Sequence, residues 1–460
     1  MMPAPFSVAG QRVLVVGAAR SGVAAALLLA RRGALVTLTD ARASLAVADA
    51  AALQAASVTL DLGGHSDTFF TSADLVVTSP GVPPTLPPLV AARAAGVPII
   101  GELELAARWV RGRVIAITGT KGKSTTTALV GRMLAASGFH APTGGNIGVP
   151  LSAQVEDSTP DTLHVVEASS FQLEATDTFH PWITAVLNVS ADHLDRHGTF
   201  EAYWHAKARI TARQAGGDWL VLNADSDTSL QMANVSRAQV VRYGQQAAEG
   251  TSVFVRDGAI RHRAQDGTES VLVPLHAVQI PGAHQRGNVV AACTIAHLAG
   301  ASPAGMQRAL EGFHGLPHVM EPAGAIQGVR FINDSKATNV DAAARSIESF
   351  DAVVAIVGGV FKGGDLRDLA APLARHGRGV VAIGQARPQV RAALADTVPV
   401  DEADTLADAV ALAWRRARPD GIVLLAPACA SFDMFRDYAD RGQQFREEVA
   451  RLASAAAGTE

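Results

Sequence analysis

The chain has 460 residues, of which 48% are hydrophobic and 18% are charged, and its formal net charge is −4. This length predicts about two to four domains, and the composition excludes an intrinsically disordered protein. The near balance of charge argues against a general nucleic-acid-binding protein, although it leaves room for a local basic pocket.

The cysteines and the apolar runs bear on the cellular compartment. Cys293 and Cys429 are too few for a disulfide framework, which favours a reducing cytosol. Residues 1–10 lack a basic start followed by a long apolar run, and the longest apolar runs are far shorter than a membrane span. We therefore expect a cytoplasmic protein with no signal peptide and no membrane partner.

Strand-like apolar runs alternate with Ala- and Leu-rich helical stretches along the chain, which indicates βαβ units and parallel sheets. The predicted strands fall into three blocks, at residues 12–17, 35–40 and 74–81, then at 114–117, 164–170, 184–190 and 219–223, then at 329–334, 352–358, 379–384 and 421–426. Residues 250–275 differ from the rest and predict hairpin strands. Because each block begins with its own strand, we expect α/β domains at residues 1–102, 103–315 and 316–460.

The first block carries a degraded dinucleotide-binding fingerprint. Gly17 and Gly22 follow the first strand, but Ala19 occupies the position of the middle glycine. Asp40 ends the second strand, where an acid that binds a ribose would lie. The pattern fits a nicotinamide cofactor, another nucleotide or a tight strand–helix turn, and the missing glycine argues against close approach of a pyrophosphate.

The second block opens with a loop typical of phosphate binding. A strand at residues 114–117 breaks into Gly-Thr-Lys-Gly-Lys-Ser at residues 119–124, and a helical pattern follows. Glycines let backbone N–H groups point at phosphate, and the helix N-terminus adds partial positive charge. Lys123 would reach the outer phosphates of a nucleotide, and Ser124 would ligate magnesium. The loop is shorter than the usual P-loop, because Ile117 stands where that pattern has its first glycine; a plain strand–turn–helix connection is the alternative.

Polar residues follow further strands of this block. Glu167 ends a strand of the same predicted sheet, so it is well placed to bind magnesium; the alternative is an acid that stabilises a helix N-terminus. Residues 188–197 contain two histidines and two aspartates after another strand, which favours contact with a metal or phosphate. Lys207 falls on a following helix, and the residues alone predict a solvated surface lysine.

Three polar loops follow strands of the third block, at residues 331–339, 358–364 and 427–433. Because the carboxyl ends of parallel strands meet at one edge of a sheet, we expect one ligand-binding edge. Lysines there could serve any anion, ATP phosphates included, while neighbouring hydroxyls favour an oriented dicarboxylate. The side chains concerned are Lys336, Thr338, Lys362 and Ser431.

Together these segments resemble the ATP-dependent Mur ligase family. The segments that carry the resemblance run across nearly the whole chain in family order, at residues 119–126, 145–148, 167–173, 188–197, 315–318, 333–339 and 428–433. The phosphate loop and the Asp-His-Leu-Asp-Arg-His segment are shared with a wider superfamily that includes folylpolyglutamate synthases. Ser-Ser-Phe-Gln-Leu, Asp-Ser-Lys-Ala-Thr-Asn and Cys-Ala-Ser-Phe-Asp indicate the branch that adds D-glutamate.

The resemblance implies a fold and an activity. The fold would consist of Rossmann-like N- and C-terminal domains on either side of a central ATPase domain of the P-loop type. The activity would be ligation of D-glutamate to UDP-N-acetylmuramoyl-L-alanine, driven by ATP and Mg²⁺ through an acyl phosphate. This reaction belongs to cytoplasmic peptidoglycan precursor synthesis, and hence to cell shape and division; a monomer is expected.

The resemblance also implies roles for individual residues. The UDP-substrate contacts would be Asp40, Arg42 and Asn146. The ATP contacts would be Gly119, Thr120, Lys121, Gly122, Lys123, Ser124, Thr125, Asn288 and Asp334. The catalytic residues would be Lys123, Glu167, His193 and Lys207. Two magnesium sites would use Ser124, Glu167, His193 and Lys207, the last as a carbamate. The D-glutamate contacts would be Lys336, Thr338, Lys362, Ser431 and Tyr438.

The chain departs from the family pattern in two further places. Gln285 replaces the asparagine that usually follows the histidine of its segment, and Val319 stands where the family usually has an arginine. That arginine would face ATP phosphates, so its loss predicts weaker nucleotide contacts unless another cation substitutes.

Other activities fit parts of the sequence. Another Mur-type ligase or a folylpolyglutamate synthase shares the phosphate loop. A dinucleotide-dependent oxidoreductase would use Gly17, Gly22 and Asp40, but it leaves the phosphate loop and the C-terminal loops without a role. A regulatory nucleotide-binding protein without ligase activity is a third alternative.

Overall fold

The structure is a computed structural model that describes residues 6–280 and 283–457. Within those residues the strands form three sheets, which correspond to the three predicted blocks. The chain divides into two compact units, the first comprising Met1–Val278 with His284–Gly312 and the second Gln279–Ala283 with Phe313–Glu460. The first unit contains two of the sheets and the second unit contains the third.

The first sheet is parallel throughout and consists of β1 (Arg12–Val16), β2 (Leu35–Asp40), β3 (Thr59–Leu62), β4 (Leu75–Thr78) and β5 (Ile99–Gly101), in the order β3-β2-β1-β4-β5. Val13 and Val15 pack on one face, while Leu14 and Val16 pack on the other. Both faces are covered because helices lie on each side, which explains the unbroken apolar run of β1. The helices of this block are α1 (Arg20–Arg31), α2 (Val47–Ala55), α3 (Asp67–Ser72), α4 (Pro87–Ala94) and α5 (Glu102–Ala107).

The second sheet contains β6 (Arg113–Thr118), β7 (Thr143–Gly145), β8 (Leu163–Glu167), β9 (Ile183–Val186), β10 (Trp219–Asn223), β11 (Gln239–Tyr243), β12 (Val253–Arg256), β13 (Ala259–Arg263) and β14 (Glu269–Pro274). Their order is β14-β13-β12-β11-β10-β9-β6-β8-β7. Strand β13 is antiparallel to both β12 and β14, as the hairpin pattern predicts. All other neighbouring strands of this sheet are parallel. The helices are α6 (Lys123–Ala136), α7 (Ser170–Glu174), α8 (Leu194–His197), α9 (Phe200–Ala208), α10 (Asp227–Leu230), α11 (Ala283–Leu298) and α12 (Pro303–Leu310).

Buried polar contacts join the first and second sheets. The carboxylate of Glu104, on α5, accepts hydrogen bonds from the backbone N–H groups of Asp177, Thr178 and Phe179 at 2.8–3.1 Å. Arg196 donates to the backbone oxygen of Pro80 at 2.9 Å. These contacts explain why the two blocks form one compact unit.

The third sheet contains β15 (Glu321–Ile326), β16 (Val329–Asn333), β17 (Val353–Gly358), β18 (Gly377–Ile383), β19 (Val400–Glu402) and β20 (Ile422–Leu425), in the order β15-β16-β20-β17-β18-β19. Strand β15 is antiparallel to β16 and the other pairs are parallel. Its residues alternate between two apolar cores, so both faces are buried. The helices are α13 (Val340–Glu348), α14 (Ala370–His376), α15 (Arg387–Leu394), α16 (Leu406–Ala417) and α17 (Tyr438–Ala457). The strands β16, β20 and β17 are neighbours, so their carboxyl ends meet at one edge, as predicted.

Candidate active site

The phosphate loop lies between β6 and α6, as the sequence predicts. Gly122 precedes the first residue of α6 with φ of 83°. The positive φ favours glycine, and a Cβ atom at this position would lie 2.2 Å from Oδ1 of Asn288, so the Asn288 side chain would have to move. Asn288, a predicted nucleotide contact on α11, therefore lies directly beside the loop.

Asn188, just after the neighbouring strand β9, stabilises the conformation of the phosphate loop. Its Nδ2 donates to the backbone oxygen of Lys121 at 3.0 Å, and its Oδ1 accepts from the N–H of Lys121 at 2.9 Å. The N–H of Thr120 donates to the backbone oxygen of Asn188 at 2.9 Å. The loop conformation is thus fixed by hydrogen bonds from within the protein, which preorganises it for phosphate.

Two lysine side chains converge on a single backbone oxygen. Nζ of Lys123 donates to the carbonyl oxygen of Gly119 at 2.9 Å, and Nζ of Lys207 donates to the same oxygen at 2.8 Å. Lys207 is 1% exposed, so the prediction of a surface lysine is wrong: α9 packs its basic residue against the phosphate loop. Burial, with the Lys123 ammonium beside it, lowers the pKa of Lys207 well below its usual range.

Lys207 also lies close to Tyr203. Its Nζ lies 4.6 Å from the centre of the Tyr203 ring. The Tyr203 hydroxyl is 3.1 Å from Oγ1 of Thr120, and burial raises the pKa of Tyr203 to about 12, so the phenol is neutral at physiological pH. Tyr203 thus connects α9 with the phosphate loop.

Glu167 is buried at the carboxyl end of β8. Its Oε1 accepts a hydrogen bond from Nδ2 of Asn146 at 2.7 Å. Among the described residues, none donates a hydrogen bond to the other oxygen, Oε2, which is buried as well. An unpaired buried carboxylate oxygen is costly, and a divalent cation is a group that satisfies it. The buried Oε2 atom of Glu167 therefore fits magnesium as an oxygen donor.

The structure also brings Asn146, predicted as a substrate contact, to the predicted metal ligand. Its side chain bonds to the Glu167 carboxylate, and its N–H donates to the Glu167 carbonyl oxygen at 2.9 Å. Asn146 thus orients the carboxylate as well as lying next to it.

His193 lies at the start of α8 with a left-handed backbone, φ 53°. Its ring is 4.8 Å from the ring of Phe171, and its Nε2 is 3.9 Å from an oxygen of Asp192. Within the described residues, no three His, Cys, Asp or Glu side chains are grouped as a metal site. The predicted magnesium set, with its serine and lysine, contains two residues of those types.

Asp40 and Arg42 form a compact pair at the carboxyl end of β2. Oδ1 of Asp40 accepts from the backbone N–H and Nε of Arg42, at 2.8 and 2.9 Å. Oδ2 accepts from the N–H of Ala18 at 2.6 Å, so the acid also fixes the turn after β1. The hydrogen bond from Arg42 lowers the pKa of Asp40 to about 2, so the carboxylate is ionised.

The second unit carries the predicted amino-acid edge. The loops after β17 and β20 are joined by paired backbone hydrogen bonds between Val360 and Ala430, at 2.8 and 3.0 Å. Nζ of Lys362 lies 5.1 Å from the ring of Phe432, which is 66% exposed. The remaining predicted residues lie on the same edge: Lys336 and Thr338 in the loop after β16, Ser431 after β20, and Tyr438 at the start of α17.

Asp334, predicted as a nucleotide contact, belongs to this second unit. Its Oδ1 accepts from the N–H of Met320 at 3.1 Å, and the hydroxyl of Ser346 donates to its Oδ2. Burial raises the pKa of Asp334 to about 6. The Met320 bond ties Asp334 to the loop that carries Val319.

Three family profiles match the sequence in chain order. They are described as Mur ligase MurD-like N-terminal domain, over residues 11–101, Mur ligase middle domain, over residues 117–296, and Mur ligase glutamate ligase domain, over residues 320–429. Two relatives carry the name UDP-N-acetylmuramoylalanine--D-glutamate ligase. The one from Acidobacterium capsulatum is 45% identical over 97% of this chain and 98% of its own length. The one from Geobacter metallireducens is 43% identical over 98% of this chain and 99% of its own.

The chain belongs to the Mur ligase family. Solved structures agree on the fold. A UDP-N-acetylmuramate-alanine ligase from Thermotoga maritima superposes with a TM-score of 0.60 at 18% identity, covering 96% of this chain and all of the other. A pseudomurein peptide ligase type C from Methanothermus fervidus superposes with a TM-score of 0.59, also at 18% identity and with the same coverage. The three α/β domains predicted from the sequence are therefore confirmed, while their exact boundaries stay a prediction.

The structure shows the environment of the two residues, Gln285 and Val319, that depart from the Mur ligase pattern. Gln285 is buried, and its Oε1 accepts from Nδ2 of Asn288 at 2.8 Å, so it fixes the side chain beside Gly122. Val319 lies between two residues with left-handed backbones, His318 at φ 62° and Met320 at φ 49°.

In the described part of the chain, no helix combines the length and apolar content needed to cross a bilayer.

Some residues that hold this Mur ligase site escaped the sequence analysis. Asn188 begins a segment that resembles the family and Tyr203 follows that segment, yet nothing in their spacing indicates that they contact the phosphate loop. Arg441 is 0% exposed on α17 and reaches two of the amino-acid loops. A lone arginine in a helical pattern gives no signal of such burial.

Proposed function

We propose that the protein is the ATP-dependent ligase that joins D-glutamate to UDP-N-acetylmuramoyl-L-alanine in peptidoglycan precursor synthesis. Relatives with that name, 39–45% identical over nearly the whole chain, support the substrates. The observation that carries the chemistry is the convergence of Lys123 and Lys207 on Gly119. Lys123 belongs to a phosphate loop whose conformation is already fixed, and Lys207 places a buried amine against the same loop.

The proposed reaction has two steps. An oxygen of the L-alanine carboxylate attacks the γ-phosphorus of ATP, the bond to the β-phosphate oxygen breaks, and ADP leaves. The amine of D-glutamate then attacks the acyl carbon, phosphate departs with the bonding pair, and the nitrogen loses a proton. Lys123 would leave its carbonyl contacts to meet the phosphates, where its charge offsets the repulsion between the two anions of the first step.

Glu167 and Ser124 would hold a magnesium ion, and we assign His193 to the same set. Bound magnesium would supply positive charge at the phosphoryl oxygens. The Asn146 hydrogen bond leaves Oε2 of Glu167 available for that role. His193 is half-exposed and could turn towards a ligand without disturbing the core.

Lys207 is proposed to carry a carbamate. A carbamate forms when a neutral amine attacks carbon dioxide and releases a proton, and burial beside Lys123 favours the neutral amine by lowering the pKa of Lys207. The product is an oxygen-donating anion, which suits magnesium where an ammonium does not. The carbamate would also place a negative charge close to the Lys123 ammonium at Gly119.

We assign Asp40 and Arg42 to the UDP end of the substrate. Asp40 is ionised and locked by Ala18 and Arg42, so it presents a fixed acceptor to a ring N–H, while Arg42 is partly exposed. The loops after β16, β17 and β20 are assigned to D-glutamate. Asn288 and Asp334 are assigned to the nucleotide.

The test is a coupled phosphate-release assay with ATP, UDP-N-acetylmuramoyl-L-alanine and one amine at a time. We expect release that depends on both the UDP-sugar and D-glutamate. Efficient use of meso-diaminopimelate or L-glutamate would assign another amide ligase. Release that needs neither acceptor nor amine would point to a nucleotide-binding protein without ligase activity.

A further inference from the structure

The second unit contains a buried cation that the proposed mechanism does not use. Arg441, on α17, is 0% exposed. Its Nε donates to Oγ of Ser335 at 2.9 Å, Nη2 donates to the carbonyl oxygen of Ser335 at 2.8 Å, and Nη1 donates to the carbonyl oxygen of Cys429 at 3.2 Å. Among the described residues, these acceptors are all neutral, which is an expensive way to bury a charge.

The three contacts join three segments of the amino-acid edge. Ser335 belongs to the loop after β16 and Cys429 to the loop after β20. The Ser335 hydroxyl also donates to the backbone oxygen of Tyr438 at 2.7 Å, where α17 begins. One guanidinium and one hydroxyl therefore fix both loops to the helix that carries the guanidinium.

Four of the residues assigned to D-glutamate lie close in sequence to these fixed atoms. Lys336 follows Ser335 directly, and Thr338 comes two residues after Lys336. Ser431 comes two residues after Cys429, and Tyr438 itself supplies the carbonyl that Ser335 contacts. The fifth, Lys362, is in a loop tied to the β20 loop by the paired backbone bonds described above.

We propose that Arg441 is a positioning residue that sets the affinity for the amino-acid substrate by holding these loops in register. Its planar fork of donors fixes the direction of both carbonyl groups, whereas the single rotatable ammonium of a lysine would hold them less rigidly. Burial lowers the pKa of Arg441 to about 10, so the group is still charged at neutral pH. Its positive charge also favours a dianionic ligand at this edge.

The proposal rests on the proposed function, because it takes D-glutamate as the amine. The test measures KM for D-glutamate, for the UDP-sugar and for ATP in Arg441→Lys and Arg441→Met. We expect KM for D-glutamate to rise tenfold or more, with the methionine variant the worse, while the other two KM values stay within about twofold.

The matched control is Arg378→Lys. Arg378 also donates to a backbone carbonyl, that of Ala417, at 3.0 Å, but at the opposite edge of the same sheet. The control should leave all three KM values near wild type. Thermal unfolding midpoints show whether each variant is folded.

Ser335→Ala keeps the test decisive if the arginine variants do not fold. It removes the hydroxyl that accepts from Arg441 and donates to Tyr438, and KM for D-glutamate should rise several-fold. An unchanged KM for D-glutamate in a folded variant, or an equal rise in all three constants, would overturn the proposal. A wild-type enzyme that does not use D-glutamate would refute the proposed function instead, before any variant is measured.

Discussion

At the scale of single residues, the shared carbonyl oxygen of Gly119 is the most informative contact. Two amines within hydrogen-bonding distance of one oxygen cannot both carry a charge cheaply in a buried site. Lys123 is the more exposed of the two and Lys207 is fully buried, so burial and the Lys123 charge lower the pKa of Lys207. This difference supports the two roles we propose, Lys123 as a phosphate cation and Lys207 as the amine that forms the carbamate.

Lys123→Ala should abolish ATP turnover. Loss of its charge from a preorganised site is expected to cost on the order of 3 kcal/mol or more at the transition state, which is a factor of at least a hundred in rate. The measurement is phosphate release under saturating substrates, with the unfolding midpoint as the control for folding. Turnover within a few-fold of wild type would reject the role assigned to the phosphate loop.

Lys207→Ala should lose activity and regain part of it with added formate or acetate, which can replace a carbamate oxygen. Lys123→Ala is the matched control, and these anions should not restore it. Mass spectrometry after trapping in bicarbonate provides a direct readout, made simple because the chain has five lysines, at 121, 123, 207, 336 and 362. Detection of only a free Lys207 amine in active enzyme would contradict the assignment.

The sequence predicted the residue types at the site better than their surroundings. The phosphate loop, Glu167 and the third-block loops could be predicted because each follows directly on an apolar strand. The burial of Lys207 could not, since it depends on α9 packing over a loop 88 positions earlier in the chain. Helical spacing shows which residues share a face but not what covers it.

At the scale of elements, a buried histidine joins several segments near the amino ends of β6 and β8. Nε2 of His164, on β8, lies 2.8 Å from the Ser158 hydroxyl, whose oxygen already accepts from the N–H groups of Arg111 and Gly112. That hydroxyl must therefore donate to Nε2. The other ring nitrogen is 3.1 Å from Oε1 of Gln154 and so carries the proton.

Acid should therefore weaken this part of the fold. Burial lowers the pKa of His164 from 6.5 to about 4, so the unfolded chain binds the proton more tightly. The stabilisation is complete above pH 6.5 and is lost as the pH falls towards 4, a change of up to about 3 kcal/mol in the free energy of unfolding. His164→Gln should show less of this loss.

The comparison uses denaturant midpoints of wild type and His164→Gln at pH 7 and at pH 4.5. Other groups titrate over the same range in both proteins, so the difference between them isolates His164. Identical pH dependence in the two proteins would show that the imidazole is already protonated in the fold or that the hydrogen bonds survive protonation.

At the scale of the whole molecule, three sheets were predictable because apolar runs and helical stretches alternate in three blocks. The division into two compact units was not. It depends on contacts such as those from Glu104 to the backbone of residues 177–179, which join α5 of the first block to the segment before β9 of the second. A hydrophobic pattern gives the period of each element, whereas the partner of a polar side chain seventy residues away leaves no periodic trace.

The last prediction concerns the amine specificity of the whole enzyme. A desolvated dicarboxylate needs cations and donors placed for both of its anionic groups. Lys362 is exposed on the loop after β17, and the Phe432 ring beside it holds its ammonium at the predicted edge. Lys362→Ala should raise KM for D-glutamate about tenfold, roughly 1.4 kcal/mol, with a smaller effect on KM for the UDP-sugar.

Arg367→Ala is the matched control for this variant. Arg367 is another exposed cation just after the same glycine-rich loop, and its charge is paired with Asp365. Its loss should leave KM for D-glutamate near wild type, because a solvent-exposed pair contributes little. If Lys362→Ala changed only the ATP dependence, the cation would serve the nucleotide, and the amino-acid edge would need a different anchor for its second carboxylate.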